Sequence, residues 1–164
     1  WAGMGRERWK TCMKLALPVV YLLALYPASN CRYYFGKPQS YYPQIQFAQL
    51  MEQNKRQDEI TLLNYCFLDG GFYLKSGALL PDTRFFCRLN IPKDQLPEMY
   101  QEQDRIVQEG AVEFVVVRYH MREHLWRKEP CAALTELYTL IGTAEEARDG
   151  YRYELYQLRE GSIA

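Results

Sequence analysis

Both histidines of the chain fall in one pentapeptide, His120-Met121-Arg122-Glu123-His124. The spacing matches H-x-x-E-H, in which two neutral imidazoles one helical turn apart hold zinc and the glutamate polarises a bound water. A third ligand must then come from elsewhere, and Glu136, Glu145, Glu146 and Glu154 are the downstream carboxylates that qualify. Three fixed positions also arise readily beside a charged helix, so a solvated polar helix start competes for His120, Glu123 and His124. A second constellation is Asp69-Gly70-Gly71, which ends a strongly apolar run. Ligands of open α/β sheets gather beyond the carboxyl ends of the strands. Gly71 lets backbone approach a ligand closely, and Asp69, Gly70, Tyr73 and Lys75, with Arg118 from a later strand, complete a candidate binding set. A plain glycine turn accounts for the same residues. No phosphate-loop or dinucleotide fingerprint is present, and no cofactor is implied. No Ser-His-Asp or Cys-His arrangement stands out, and the adjacent pairs Asp58-Glu59 and Glu145-Glu146 read as solvated surface.

The elements that must position these residues alternate in type. Tyr42-Pro43 opens a helix over about 44–56, where Ile45, Ala48, Gln49 and Glu52 follow helical spacing. Ile60 to Leu68 reads as a central strand, apolar on both faces. It stops at Asp69-Gly70-Gly71, and one or two helical turns follow to Gly77. Arg84–Leu89 is a shorter strand, and Pro92 to Glu109 forms the longest helix. Leu96, Met99, Gln103, Ile106 and Val107 share one face of it, and Gly110 closes it. Glu113–Tyr119 is a third strand, with short helical stretches around 120–127 and 130–135. Leu137–Thr143 and Tyr151–Leu158 flank Arg148-Asp149-Gly150, the pattern of a hairpin. The fold class is therefore α/β: a small mixed sheet with flanking helices and a C-terminal antiparallel hairpin.

Composition sets the wider frame. The 164 residues carry 20 basic and 20 acidic side chains, 48% hydrophobic residues, 14 tyrosines and five cysteines. That balance excludes wholesale disorder, and zero net charge argues against a nucleic-acid binder. Mean hydropathy of −0.39 excludes a multi-pass membrane protein within this length. An odd cysteine count leaves at least one thiol unpaired, and Cys66, Cys87 and Cys131 read as buried and reduced. A Cys66–Cys87 cross-strand bridge remains open. The clustered tyrosines suit a half-exposed sheet, a membrane–water interface or glycan stacking.

The charge is unevenly placed. Arg6, Arg8, Lys10 and Lys14 against Glu7 give residues 1–14 a charge of +3, so the rest sums to −3. Leu15 to Tyr26 follows without a charge. Three readings compete for 1–29: a last transmembrane helix with its basic end in the cytoplasm, a signal peptide starting at Met4, and a buried helix of a soluble fold. Length favours the signal peptide, but Tyr26-Pro27-Ala28-Ser29-Asn30 is a poor cleavage site. The basic flank favours the transmembrane helix, with 30–43 as a linker and 44–164 as an extracytoplasmic α/β domain. A start at Trp1 then suggests a piece of a larger chain.

The blocks Thr61-Leu-Leu-Asn-Tyr-Cys-Phe-Leu-Asp-Gly-Gly-Phe-Tyr73, Leu80-Pro81, Phe85-Phe86-Cys87-Arg-Leu-Asn-Ile-Pro92, Glu102-Gln-Asp104 and Phe114-Val-Val-Val-Arg118 occur in that order. This array resembles the C-terminal region of bacterial multi-pass glycosyltransferases of the GT-C class, relatives of the dolichyl-phosphate-mannose–protein mannosyltransferase superfamily. The resemblance covers 60–118 well and 1–59 loosely. It implies an α/β domain outside the cytoplasm after the last membrane helix of an enzyme that moves sugar from a polyprenyl-phosphate donor to an extracytoplasmic acceptor. The implied partners are the rest of the membrane-embedded chain, the lipid bilayer, and the lipid-linked sugar or glycan acceptor. The family's catalytic aspartate lies in the first extracytoplasmic loop and has no counterpart here, so the resemblance implies an accessory role without catalytic residues. The rival class is a free-standing, membrane-anchored or secreted ligand-binding domain.

Overall fold

The computed structural model describes residues 5–28, 37–38, 41–83, 94–120, 130–146 and 150–161. It divides into two units, 1–38 and 39–164.

The first unit is one helix, α1 (Arg6–Ala28), of 23 residues. Leu17, Val19, Val20, Tyr21, Leu22 and Leu23 are each more than half exposed. Five of these are consecutive, so the apolar surface runs round the helix rather than along a stripe. This is opposite to a helix buried within a fold. No helix among the described residues is long and apolar enough to cross a membrane, so the expected transmembrane helix at 1–29 is not shown. The reason lies in the charges at its start. The uncharged run Leu15–Tyr26 rises about 18 Å, against a hydrocarbon core of about 30 Å.

The second unit is the α/β domain. Its elements run α2 (Pro43–Asn54), β1 (Leu62–Tyr65), α3 (Gly70–Ser76), α4 (Pro97–Gln108), β2 (Phe114–His120), α5 (Ala132–Leu137), β3 (Tyr138–Glu146) and β4 (Tyr151–Leu158). The sheet order is β1-β2-β4-β3, with β1 and β2 parallel and β4 antiparallel to both of its neighbours. Leu62 and Asn64 point to one face, Leu63 and Tyr65 to the other, and all four are buried. Both faces are accordingly covered. Phe47 and Met51 of α2 and Phe72 of α3 pack on Leu62, Phe114, Val116, Tyr153 and Leu155. Ile106 and Val107 of α4 and Leu134 of α5 pack on Leu63, Tyr65, Val115 and Val117. The result is a three-layer helix–sheet–helix sandwich.

Several boundaries differ from the sequence reading for local reasons. β1 ends at Tyr65 because Cys66 takes a φ of 60°, a left-handed backbone that a non-glycine residue rarely adopts and that turns the chain out of the sheet. α2 buries Pro43, Phe47 and Met51 instead of Ile45, Ala48, Gln49 and Glu52. The bulkier ridge, spaced four residues apart, meets the sheet. α4 buries Met99, Tyr100, Gln103, Ile106 and Val107, and Gly110 behind it has a φ of 60°. The hairpin forms as expected, with Gly150 at a φ of 69° leading into β4. His120 is the last residue of β2, not the first of a helix. The expected strand at 84–89, including Cys87, and most of the helical stretch at 120–127 lie outside the described residues. Cys12 and Cys131 are free thiols.

Candidate functional site at the carboxyl edge of the parallel strands

β1 and β2 run in the same direction, so their carboxyl ends open on one edge, and Asn64 stands level with Val116. Arg118, two residues beyond Val116, shares its face with Asn64. On that face the two residues are diagonal neighbours across the parallel pair.

The turn after β1 is held by hydrogen bonds. Asp69 caps α3: one carboxylate oxygen accepts from Gly71 N at 2.8 Å and the other accepts from Gln44 Nε2 at 2.9 Å. The Gln44 contact ties the start of α2 to the start of α3. It requires a glycine at 71, because a Cβ there would lie 2.9 Å from Asp69 Oδ1 and 3.0 Å from Gln44 Cγ. Asn64 Nδ2 donates to Asp69 O at 2.7 Å, which fixes its amide and turns Oδ1 the other way. That oxygen is buried without a hydrogen-bond partner. The Tyr73 hydroxyl accepts from Asn64 N at 3.1 Å, and burial pushes its phenol up to about 12, although the bond from Asn64 works against the rise.

The end of β2 contributes a cation between rings. Arg118 lies 4.8 Å from the Phe67 ring centroid and 4.4 Å from that of Tyr151. The guanidinium hydrogen-bonds the Tyr153 hydroxyl, while its Nη2 is buried and has no hydrogen-bond partner among the described residues. Among the described residues no carboxylate forms an ion pair with it. Tyr153 lies alongside, its hydroxyl donating to Glu146 Oε2 at 3.2 Å. Burial raises the Tyr153 phenol and Glu146 adds to the rise, while Arg118 pulls against it. The His120 ring meets Tyr151 edge-on at 5.1 Å.

Four of the expected residues therefore fall on one sheet face: Asp69, Gly71, Tyr73 and Arg118. Gly70 is exposed, with open space around it. Lys75 is exposed and lines a groove of about 440 Å³ with Ile45, Ala48, Gln49, Glu52, Gln53 and Ser76. Sequence reasoning passed over Gln44, Asn64, Phe67, Tyr151 and Tyr153. Three of these left a signal: Asn64 is an amide inside an otherwise apolar strand, and Tyr151 and Tyr153 are tyrosines two apart on the inner face of the hairpin.

The zinc motif loses its geometry at its first member. His120 ends a strand, whereas the motif needs both histidines on one helix. Glu123 and His124 lie outside the described residues, and among the described residues no group of three or more His, Cys, Asp or Glu is placed to hold a metal.

No protein-family model, curated protein or solved structure matches the chain.

Proposed function

We propose that this chain is the C-terminal region of a membrane glycosyltransferase that uses a polyprenyl-phosphate-linked sugar, and that its α/β domain serves as an extracytoplasmic accessory domain. The observation that carries this reading is the all-round apolar surface of α1 behind a basic start. Such a surface exposed to water is unfavourable, at roughly 25 cal/mol per Å² of apolar area. A helix whose apolar core is too short to span a bilayer alone gains cover from neighbouring membrane helices of the same chain. The basic residues at 6–14 then remain on the cytoplasmic side, and the chain beyond Pro38 emerges on the other. The ordered sequence blocks between 61 and 118 support the same assignment. The domain's part is to bind acceptor or stabilise the assembly.

Expression in bacterial membranes tests this. The chain should float with lipid after alkaline carbonate extraction, whereas a version starting at residue 39 should stay in the soluble fraction. A full chain that is soluble without detergent would remove the membrane reading.

A second reading, a membrane-anchored or secreted ligand-binding domain acting by itself, is favoured by Arg118 Nη2 and Asn64 Oδ1, which are buried at the sheet edge without a hydrogen-bond partner among the described residues. It keeps the site and drops the parent enzyme.

A further inference from the structure

We infer that the carboxyl edge of β1 and β2 is a binding site for a hydroxylated oxyanion, a small molecule carrying a phosphoryl or carboxyl group beside hydroxyl groups. The inference goes beyond the accessory-domain reading and stands on the α/β domain alone.

Two buried polar atoms on one sheet face lack partners, and they are of opposite kinds. Arg118 Nη2 is a charged donor without an acceptor. Asn64 Oδ1 is an acceptor without a donor. A buried polar group left unmade costs about 1–3 kcal/mol, more when charged, so such pairs call for an explanation. Neither atom can satisfy the other's neighbours by a simple flip. Asn64 is fixed by its bond to Asp69 O, and Arg118 is held between the rings of Phe67 and Tyr151. The rings cover the guanidinium faces and the Tyr153 hydroxyl takes one of its hydrogen bonds, which leaves Nη2 without an acceptor among the described residues. Arginine in that state suits an oxyanion, which accepts in the guanidinium plane.

The nearby carboxylates do not fill that role. Asp69 spends its oxygens on Gly71 N and Gln44, and Glu146 accepts from Tyr153. The Asn64 oxygen asks for a hydroxyl or amine donor on the same sheet face as the guanidinium. Tyr73, whose hydroxyl oxygen accepts from Asn64 N, has a proton left to donate. A ligand with an oxyanion at one end and hydroxyl groups a few ångströms away meets all three. A bare anion meets one.

The test is titration of the full chain in detergent, followed by amide NMR shifts, with four probes: glucose, inorganic phosphate, glucuronate and glucose 1-phosphate. Glucuronate or glucose 1-phosphate should saturate with shifts centred on Asn64, Phe67, Arg118 and Tyr151, at least tenfold more tightly than glucose or phosphate. Whichever of the two binds more tightly identifies the carboxyl or the phosphoryl source. Arg118→Met should abolish saturation, Arg118→Lys should weaken it at least fivefold, and Tyr73→Phe should weaken it while keeping the ring in place. The inference is overturned if none of the probes saturates. It is also overturned if phosphate binds as well as glucose 1-phosphate and glucuronate, or if Arg118→Met melts like the parent and binds like it. Should Arg118→Met fail to fold, unchanged affinity in Arg118→Lys overturns it equally.

Discussion

Phe72 helps to hold the face that carries the site. It is fully buried, and its ring centroid lies 5.8 Å from Phe47, 6.0 Å from Phe67 and 5.4 Å from Tyr153. Phe72→Ala should lower stability by about 3–5 kcal/mol in chemical denaturation, because the surrounding rings cannot collapse into the space. Tyr73 beside it gives the domain an alkaline limit. An unfolded tyrosine loses its proton near pH 10, while the folded one holds it to about 12 because burial disfavours the phenolate. The folded state therefore binds more protons between those values. Its stability is whole below pH 10 and falls as pH rises, by about 1.4 kcal/mol per unit for Tyr73 alone. Burial raises Tyr65, Tyr138, Tyr153 and Tyr156 in the same direction. Urea midpoints at pH 9 and pH 11 should show the drop, and Tyr73→Phe should reduce it.

At the scale of elements, α2 and the sheet touch through a glycine. A Cβ on Gly142 of β3 would lie 2.6 Å from Leu50 Cδ1. Gly142→Ala should therefore push α2 outward at a cost of about 1–3 kcal/mol. In a background of Leu50→Ala the same change should cost much less, so the double variant should be more stable than the two single losses added together. This contact also shows where sequence reading stops. Periodicity revealed α4 and its buried face, because Met99, Gln103, Ile106 and Val107 leave the polar residues no other side. It revealed the hairpin, because residues alternate on both sides of a glycine. On α2 it revealed the helix but not its buried face, since Ile45 and Ala48 keep helical spacing as well as Phe47 and Met51 do, and only packing against the sheet decides between them. The end of β1 was hidden for a different reason. A cysteine at positive φ is set by tertiary context and carries no local signal. In the site, Asp69, Gly71 and Arg118 were legible because each interrupts an apolar run. Phe67 was not, because a ring that stacks on a cation looks in sequence like any other core residue.

At the scale of the whole molecule, two units of opposite character share one chain: a helix with its apolar residues outward, and a sandwich with its apolar residues inward. The sandwich accounts for its own core. The helix requires a partner, and the proposed partner is a bundle of membrane helices with the basic residues at the cytoplasmic surface. Arg8, Lys10 and Lys14 then orient the chain. Replacing all three by glutamine should reverse or scramble the side on which the α/β domain is found, as read by protease digestion of intact spheroplasts. The same digestion on the unchanged chain tests the central claim most directly. With the domain outside the cytoplasm, added protease should destroy the 39–164 region in intact spheroplasts and spare it in sealed inverted vesicles. Protection in spheroplasts with digestion in inverted vesicles would contradict the claim.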